Sequence, residues 1–216
     1  MTDQRDKLTG YGLVFVAAML WATIGVFSRT VLDAGVGALE IAFWRSLLGG
    51  GMFLVHGGLT GQLTLDRNED VFRFILFGLV MGSLFLGAYT MAIDTGGITL
   101  AVILLYTAPA FVAVAAWGLL GESMTPRKAG LVALVIAGVV LVAQGRGTGM
   151  TVSATSLGWG LVAAVSYAAY YIIGKRMLDR YTPIGLFAWL LPVGALGLLP
   201  FVDFHPKTPR TWLFLG

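Results

Sequence analysis

The sequence contains no cysteine and only two histidines, His56 and His205. Lacking thiols, it has no disulfide, no thiolate nucleophile and no thiolate metal site. The two histidines do not stand at a metal-ligand spacing, so no metal is expected. There is no Walker motif, no Ser-His pair and no pair of carboxylates inside an apolar segment. These absences point away from an ATP-driven pump and from an enzyme, and no cofactor is expected. Charge is scarce too. Charged residues make up 12% of the chain, where soluble domains carry about 25%. The longest polar stretch, residues 58–70, is too short to form an extramembrane catalytic domain.

What the chain does have is apolar surface. Of 216 residues, 57% are hydrophobic before its 30 glycines are counted, and the mean hydropathy is +0.85. So little polar surface cannot cover a water-soluble globule, which makes the lipid bilayer the expected solvent and the principal partner. The net charge of +3 reflects 14 basic residues dispersed between apolar segments. That pattern reports membrane orientation rather than affinity for nucleic acid.

A helix needs about 20 mostly apolar residues to cross the hydrocarbon core. Seven segments meet this need, at 11–31, 38–55, 71–93, 98–119, 128–143, 157–178 and 183–202, and an eighth begins at Trp212. The fold class is therefore an all-α polytopic membrane protein. The first apolar stretch is too long for a signal-peptide core and reads as a retained first helix. Nine basic residues fall on one side of these spans (Arg5, Lys7, Arg67, Arg73, Arg127, Lys128, Lys175, Arg176 and Arg180) and four on the other (Arg29, Arg146, Lys207 and Arg210). This predicts a cytoplasmic N-terminus in the cytoplasmic (inner) membrane.

The sequence also repeats itself. Gly10-Tyr11-Gly12-Leu13-Val14 matches Gly158-Trp159-Gly160-Leu161-Val162 at an offset of 148, and Leu32-Asp33 and Ala42-Phe43 match Leu178-Asp179 and Ala188-Trp189 at 146. Five spans fit one period. An odd number inverts the second unit, and inverted repeats are the architecture of many secondary transporters. The expected organisation is a first five-helix unit over 1–148 and a partial inverted unit over 149–216, of ten helices in two complete units. Two full units need about 290–300 residues, so either a longer chain or a partner chain, in a homodimer or with another subunit, is expected to complete the second.

Three stretches carry a family resemblance. They run from Gly96-Gly97-Ile98-Thr99-Leu100-Ala101 through Tyr106-Thr107-Ala108-Pro109-Ala110-Phe111 to Gly121-Glu122-Ser123-Met124-Thr125-Pro126-Arg127-Lys128, with Glu40-Ile41-Ala42-Phe43-Trp44-Arg45 and Gly130 to Gly138 beside them. The chain resembles the EamA family of the drug/metabolite transporter superfamily along nearly its whole length. The resemblance implies two inverted five-helix units, a central cavity and export of small metabolites such as amino acids. The alternative is a non-transporting scaffold or subunit that completes its second half with a partner.

The residues themselves indicate where a cavity would lie. Trp21, Tyr106 and Tyr167 fall near the middle of spans, where a polar ring facing lipid would find no partner, so they are expected to point inward. Tyr167, Tyr170 and Tyr171 share one helical face, and Tyr89 follows Gly82 by two turns. Arg45 lies about seven residues inside its span, where insertion costs ~2.5–3.5 kcal/mol. It either snorkels to the interface or serves as a charge anchor, for a substrate carboxylate or for the carbonyls of a broken helix. Glu40, the only carboxylate within a span, is the candidate for proton coupling and shares a face with Trp44. Gly78 and Gly82 offer a close-approach surface, and Pro109 interrupts its helix and acts as a kink beside Tyr106.

Overall fold

The computed structural model describes residues 2–65, 68–144 and 150–204. Among them there is no strand. The helices are α1 (Thr2–Asp33), α2 (Ala38–Leu59), α3 (Asn68–Gly78), α4 (Leu86–Gly96), α5 (Ile98–Leu105), α6 (Ala108–Leu120), α7 (Pro126–Gln144), α8 (Ala154–Leu178) and α9 (Pro183–Leu198). A π-helical segment, Leu79–Phe85, fuses α3 to α4, and a 3₁₀ turn, Leu199–Phe201, follows α9.

Six helical stretches are long and apolar enough to cross a membrane: Thr9–Asp33, Ala38–Leu59, Asp70–Gly96, Ile98–Gly118, Ala154–Leu178 and Pro183–Phe201. They coincide with six of the seven expected spans. The remaining expected span, 128–143, is helical within the 19 residues of α7. The segment beginning at Trp212 lies outside the described residues.

Lipid gives helices no hydrophobic reason to associate, so the bundle is held by small residues and interhelical hydrogen bonds. These concentrate on α9, which is gripped from two sides. On one side, the Ser46 hydroxyl of α2 donates to the Leu191 carbonyl at 2.8 Å. A Cβ placed on Gly50 would come within 2.7 Å of the Pro192 ring. On the other side, the Ser83 hydroxyl donates to the Gly194 carbonyl at 2.7 Å. Here Gly78 abuts the Leu190 carbonyl and Val193, while Gly82 and Gly194 meet backbone to backbone, so a side chain on either would overlap the other helix. Gly78 and Gly82 are thus the surface on which α3 and the π segment meet α9.

In α8, Ser153 and Ser156 form a reciprocal capping box. The helix then packs its small residues Ala164 and Ala168 against Ala108. α1 lies at the edge. Among the described residues its buried positions lie in the last turns, where Gly25 faces Ile98 and Val31 packs with Val36 and Ile41.

Two spans are less regular than simple apolar runs predict. The third contains the seven-residue π segment. The fourth does not merely bend at Pro109 but breaks: α5 ends at Leu105, and Pro109 sits in the first turn of α6, where its missing N–H costs nothing. At the break the Leu104 carbonyl accepts from both the Thr107 backbone N–H at 3.0 Å and the Thr107 hydroxyl at 2.6 Å. Between the third and fourth spans the chain reverses through Gly97 alone, at φ +84°, a conformation open to glycine but strained for other residues.

Candidate substrate site

Three of the expected site residues stand at one depth. Arg45 lies seven residues from the start of α2, Tyr89 seven from the end of α4, and Tyr106 eight from the start of α5. These three helix ends share one end of the bundle. At 1.5 Å per residue, all three side chains sit about 10–12 Å in from it. Trp21 and Tyr167 lie deeper, twelve residues from the end of α1 and thirteen from the start of α8.

The tyrosines belong to a continuous aromatic wall. Tyr89 stacks on Phe85 (ring centroids 6.1 Å apart), Phe85 on Tyr167 (5.0 Å) and Tyr167 on Tyr170 (5.8 Å). Tyr170 in turn stacks on Phe77 at 5.6 Å. Tyr171 meets Tyr167 edge-on at 5.0 Å, and the two hydroxyls lie 3.2 Å apart. Each such ring pair adds about 0.5–1.5 kcal/mol beyond its buried area. The wall is therefore a rigid surface with a few hydroxyls along it. Phe77 and Phe85 were not expected from the sequence. They lie eight residues apart, about 80° out of phase on a regular helix. The extra residue taken up by the π segment brings them onto one face.

Arg45 of α2 is partly exposed. Its Nη1 is buried and has no hydrogen-bond partner among the described residues, and the guanidinium lies within electrostatic range of Tyr89. A buried, unsatisfied guanidinium N–H is costly, and the penalty is removed only by an acceptor brought to it. Five residues before Arg45, and on the face of Trp44 rather than that of Arg45, Glu40 is buried at 1% exposure and accepts from Trp44 Nε1 at 3.3 Å.

Two aromatic residues do not point into the packed core as expected. Tyr106 is 75% exposed and Trp21 64%. Tyr106 is the last residue before the break between α5 and α6. It stands within electrostatic range of both Tyr89 and Tyr167, at the open rim of the aromatic wall. Trp21 precedes Gly25 by one turn on the same face of α1, beyond the last contact that α1 makes. Neither ring is covered by another helix among the described residues. Glu122, at the end of α6, pairs with Lys128 at 3.0 Å in an exposed loop away from this site. Among the described residues no cluster of His, Asp or Glu could hold a metal ion.

Comparison with known proteins agrees with this architecture. The family described as the EamA-like transporter family matches residues 8–144 and 154–216. The chain is 25% identical over 196 residues to the uncharacterized inner membrane transporter YicL of Salmonella typhimurium, an alignment covering 87% of this chain and 64% of that protein. It is 26% identical over 216 residues to an uncharacterized transporter of Archaeoglobus fulgidus, covering 94% of this chain and 73% of the relative. The chain thus spans just under two thirds of the length of the Salmonella protein. One solved crystal structure superposes with a TM-score of 0.61 at 21% identity, over 93% of this chain and 70% of the other, and shares its fold.

Proposed function

The chain belongs to the EamA-like transporter family and is a multi-pass membrane protein, and from that premise we propose that it carries small amphipathic metabolites, amino acids among them, out of the cell by alternating access. The observation that carries the substrate reading is Arg45. A buried guanidinium nitrogen without an acceptor, beside an aromatic wall, suits a solute with an anionic group and an apolar body. In this reading Arg45 orients the anion, Tyr89, Tyr106, Tyr167, Tyr170 and Tyr171 line the path of the apolar part, and Trp21 closes it from α1. The kinked and glycine-lined contacts around α9 let one group of helices rock against the other. Glu40, buried five residues before Arg45 on α2, is the residue proposed to couple transport to protons.

The test is efflux of amphipathic amino acids from cells or vesicles. A hydrogen bond to a charged group contributes about 1.5–3 kcal/mol. Arg45→Gln is therefore expected to raise the half-saturating concentration roughly tenfold or more. Tyr106→Ala is expected to slow transport, and both variants should reach the membrane in normal amounts. Normal transport by both would overturn the site assignment.

A further inference from the structure

At the end of the bundle opposite the Arg45 level, a groove of about 430 Å³ opens between α3 and α8. Its lining is divided by chemistry. Arg73, Arg176 and Arg180 surround the mouth, and Leu76, Ile172 and Ile173 form an apolar flank running toward the bundle centre. The groove lies on the terminal turns of the spans Asp70–Gly96 and Ala154–Leu178, the depth at which lipid head groups meet acyl chains.

The arginines are only partly spoken for. Asp70 is buried at 2% exposure. It accepts from the Tyr181 hydroxyl at 2.7 Å and from Arg73 Nη1 at 2.8 Å, and Arg180 Nη1 is 4.0 Å away. One carboxylate thus engages one edge of Arg73 and lies near Arg180, and both side chains are more than half exposed. Each guanidinium has five N–H donors, so most still face outward. Arg176 makes no ion pair or hydrogen bond among the described residues. Counting Asp179, which also lines the groove, three positive charges face two negative ones.

We infer that this groove binds an anionic phospholipid, its phosphate among Arg73, Arg176 and Arg180 and one acyl chain along Leu76 and Ile172. A soluble anion would leave the apolar flank unused. A zwitterionic lipid would bring its own cation to the arginines. Basic pockets between spans at a membrane face rich in Lys and Arg suit anionic head groups. The arginines lie at the end of the bundle opposite Arg45, while the apolar flank adjoins the far end of the aromatic wall, next to Phe77 and Tyr171.

The test is native mass spectrometry of the detergent-extracted protein with equal amounts of phosphatidylglycerol and phosphatidylcholine. The wild-type protein should retain phosphatidylglycerol severalfold more than phosphatidylcholine. Arg176→Gln, which breaks no ion pair among the described residues, should remove most of that preference, and Arg176→Lys should restore part of it. On the wild-type protein alone, phosphatidylglycerol should raise the melting temperature more than phosphatidylcholine does. Equal retention and equal stabilisation by the two lipids would overturn the site, as would an undiminished preference in Arg176→Gln. Displacement of bound lipid by glycerol phosphate at matched concentration would reassign the arginines to a soluble anion and overturn the lipid.

Discussion

Asp70 and Tyr181 show how far a single residue can be read from sequence. Asp70 falls at the start of an apolar run and resembles an ordinary solvated boundary charge. Its burial and its 2.7 Å bond to a tyrosine 111 positions away depend on how α3 meets the turn after α8. No local pattern records that. Tyr181→Phe takes away this donor and leaves a buried carboxylate oxygen with Arg180 at 4.0 Å. A buried group left unsatisfied costs about 1–3 kcal/mol, so the variant is expected to melt at a lower temperature in detergent; an unchanged melting temperature would contradict the structural role given to the pair. Arg45 was legible only as a residue in need of a reason, because a charge deep in an apolar span must have a partner or a function. The directions of Trp21 and Tyr106 were not. Depth along a helix fixes that a ring needs company, while its direction depends on which neighbours lie around it.

At the level of the element, apolar runs gave the positions of six membrane-crossing helices within a few residues, since length and hydropathy alone decide them. Pro109 marked the interruption of the fourth span for the same kind of local reason. The π segment left no such mark. Leu79-Val80-Met81-Gly82-Ser83-Leu84-Phe85 is apolar on every face, so a change from 3.6 residues per turn has no hydrophobic period to disturb. Its effect is nonetheless specific, placing Phe85 and Tyr89 in phase with Phe77. Deleting exposed Leu84 would remove the extra residue, bring Phe85 to within about 20° of Phe77 on a regular helix, and keep Gly78 and Gly82 against α9. That variant should fold and melt close to the unaltered protein. Inserting one alanine between Phe85 and Tyr89 should instead swing Tyr89 away by about 100° and lower both stability and transport. Equal effects of the deletion and the insertion, read by detergent melting curves and efflux, would refute the phase argument.

For the whole molecule, the described helices pack with α9 held between α2 and the third span, α8 laid across the third and fourth, and an aromatic wall whose rim at Tyr106 is open; in the proposed function they form one side of the substrate path. In the repeat proposed from the sequence, α8 and α9 begin the second unit, and the rest of that unit would supply the facing side. In the proposed function this rim faces water in a transport path and not lipid. The absence of cysteine makes it directly measurable, since a single introduced thiol is the only one present. Thiols react as thiolates, which form in water and not in hydrocarbon. Tyr106→Cys in intact membranes should therefore be modified rapidly by a membrane-impermeant methanethiosulfonate reagent and be protected by a transported solute. Leu134→Cys on the exposed face of α7 should react far more slowly. If the thiol at 106 reacts no faster than the one at 134, the rim faces lipid and the cavity assigned to this protein does not exist.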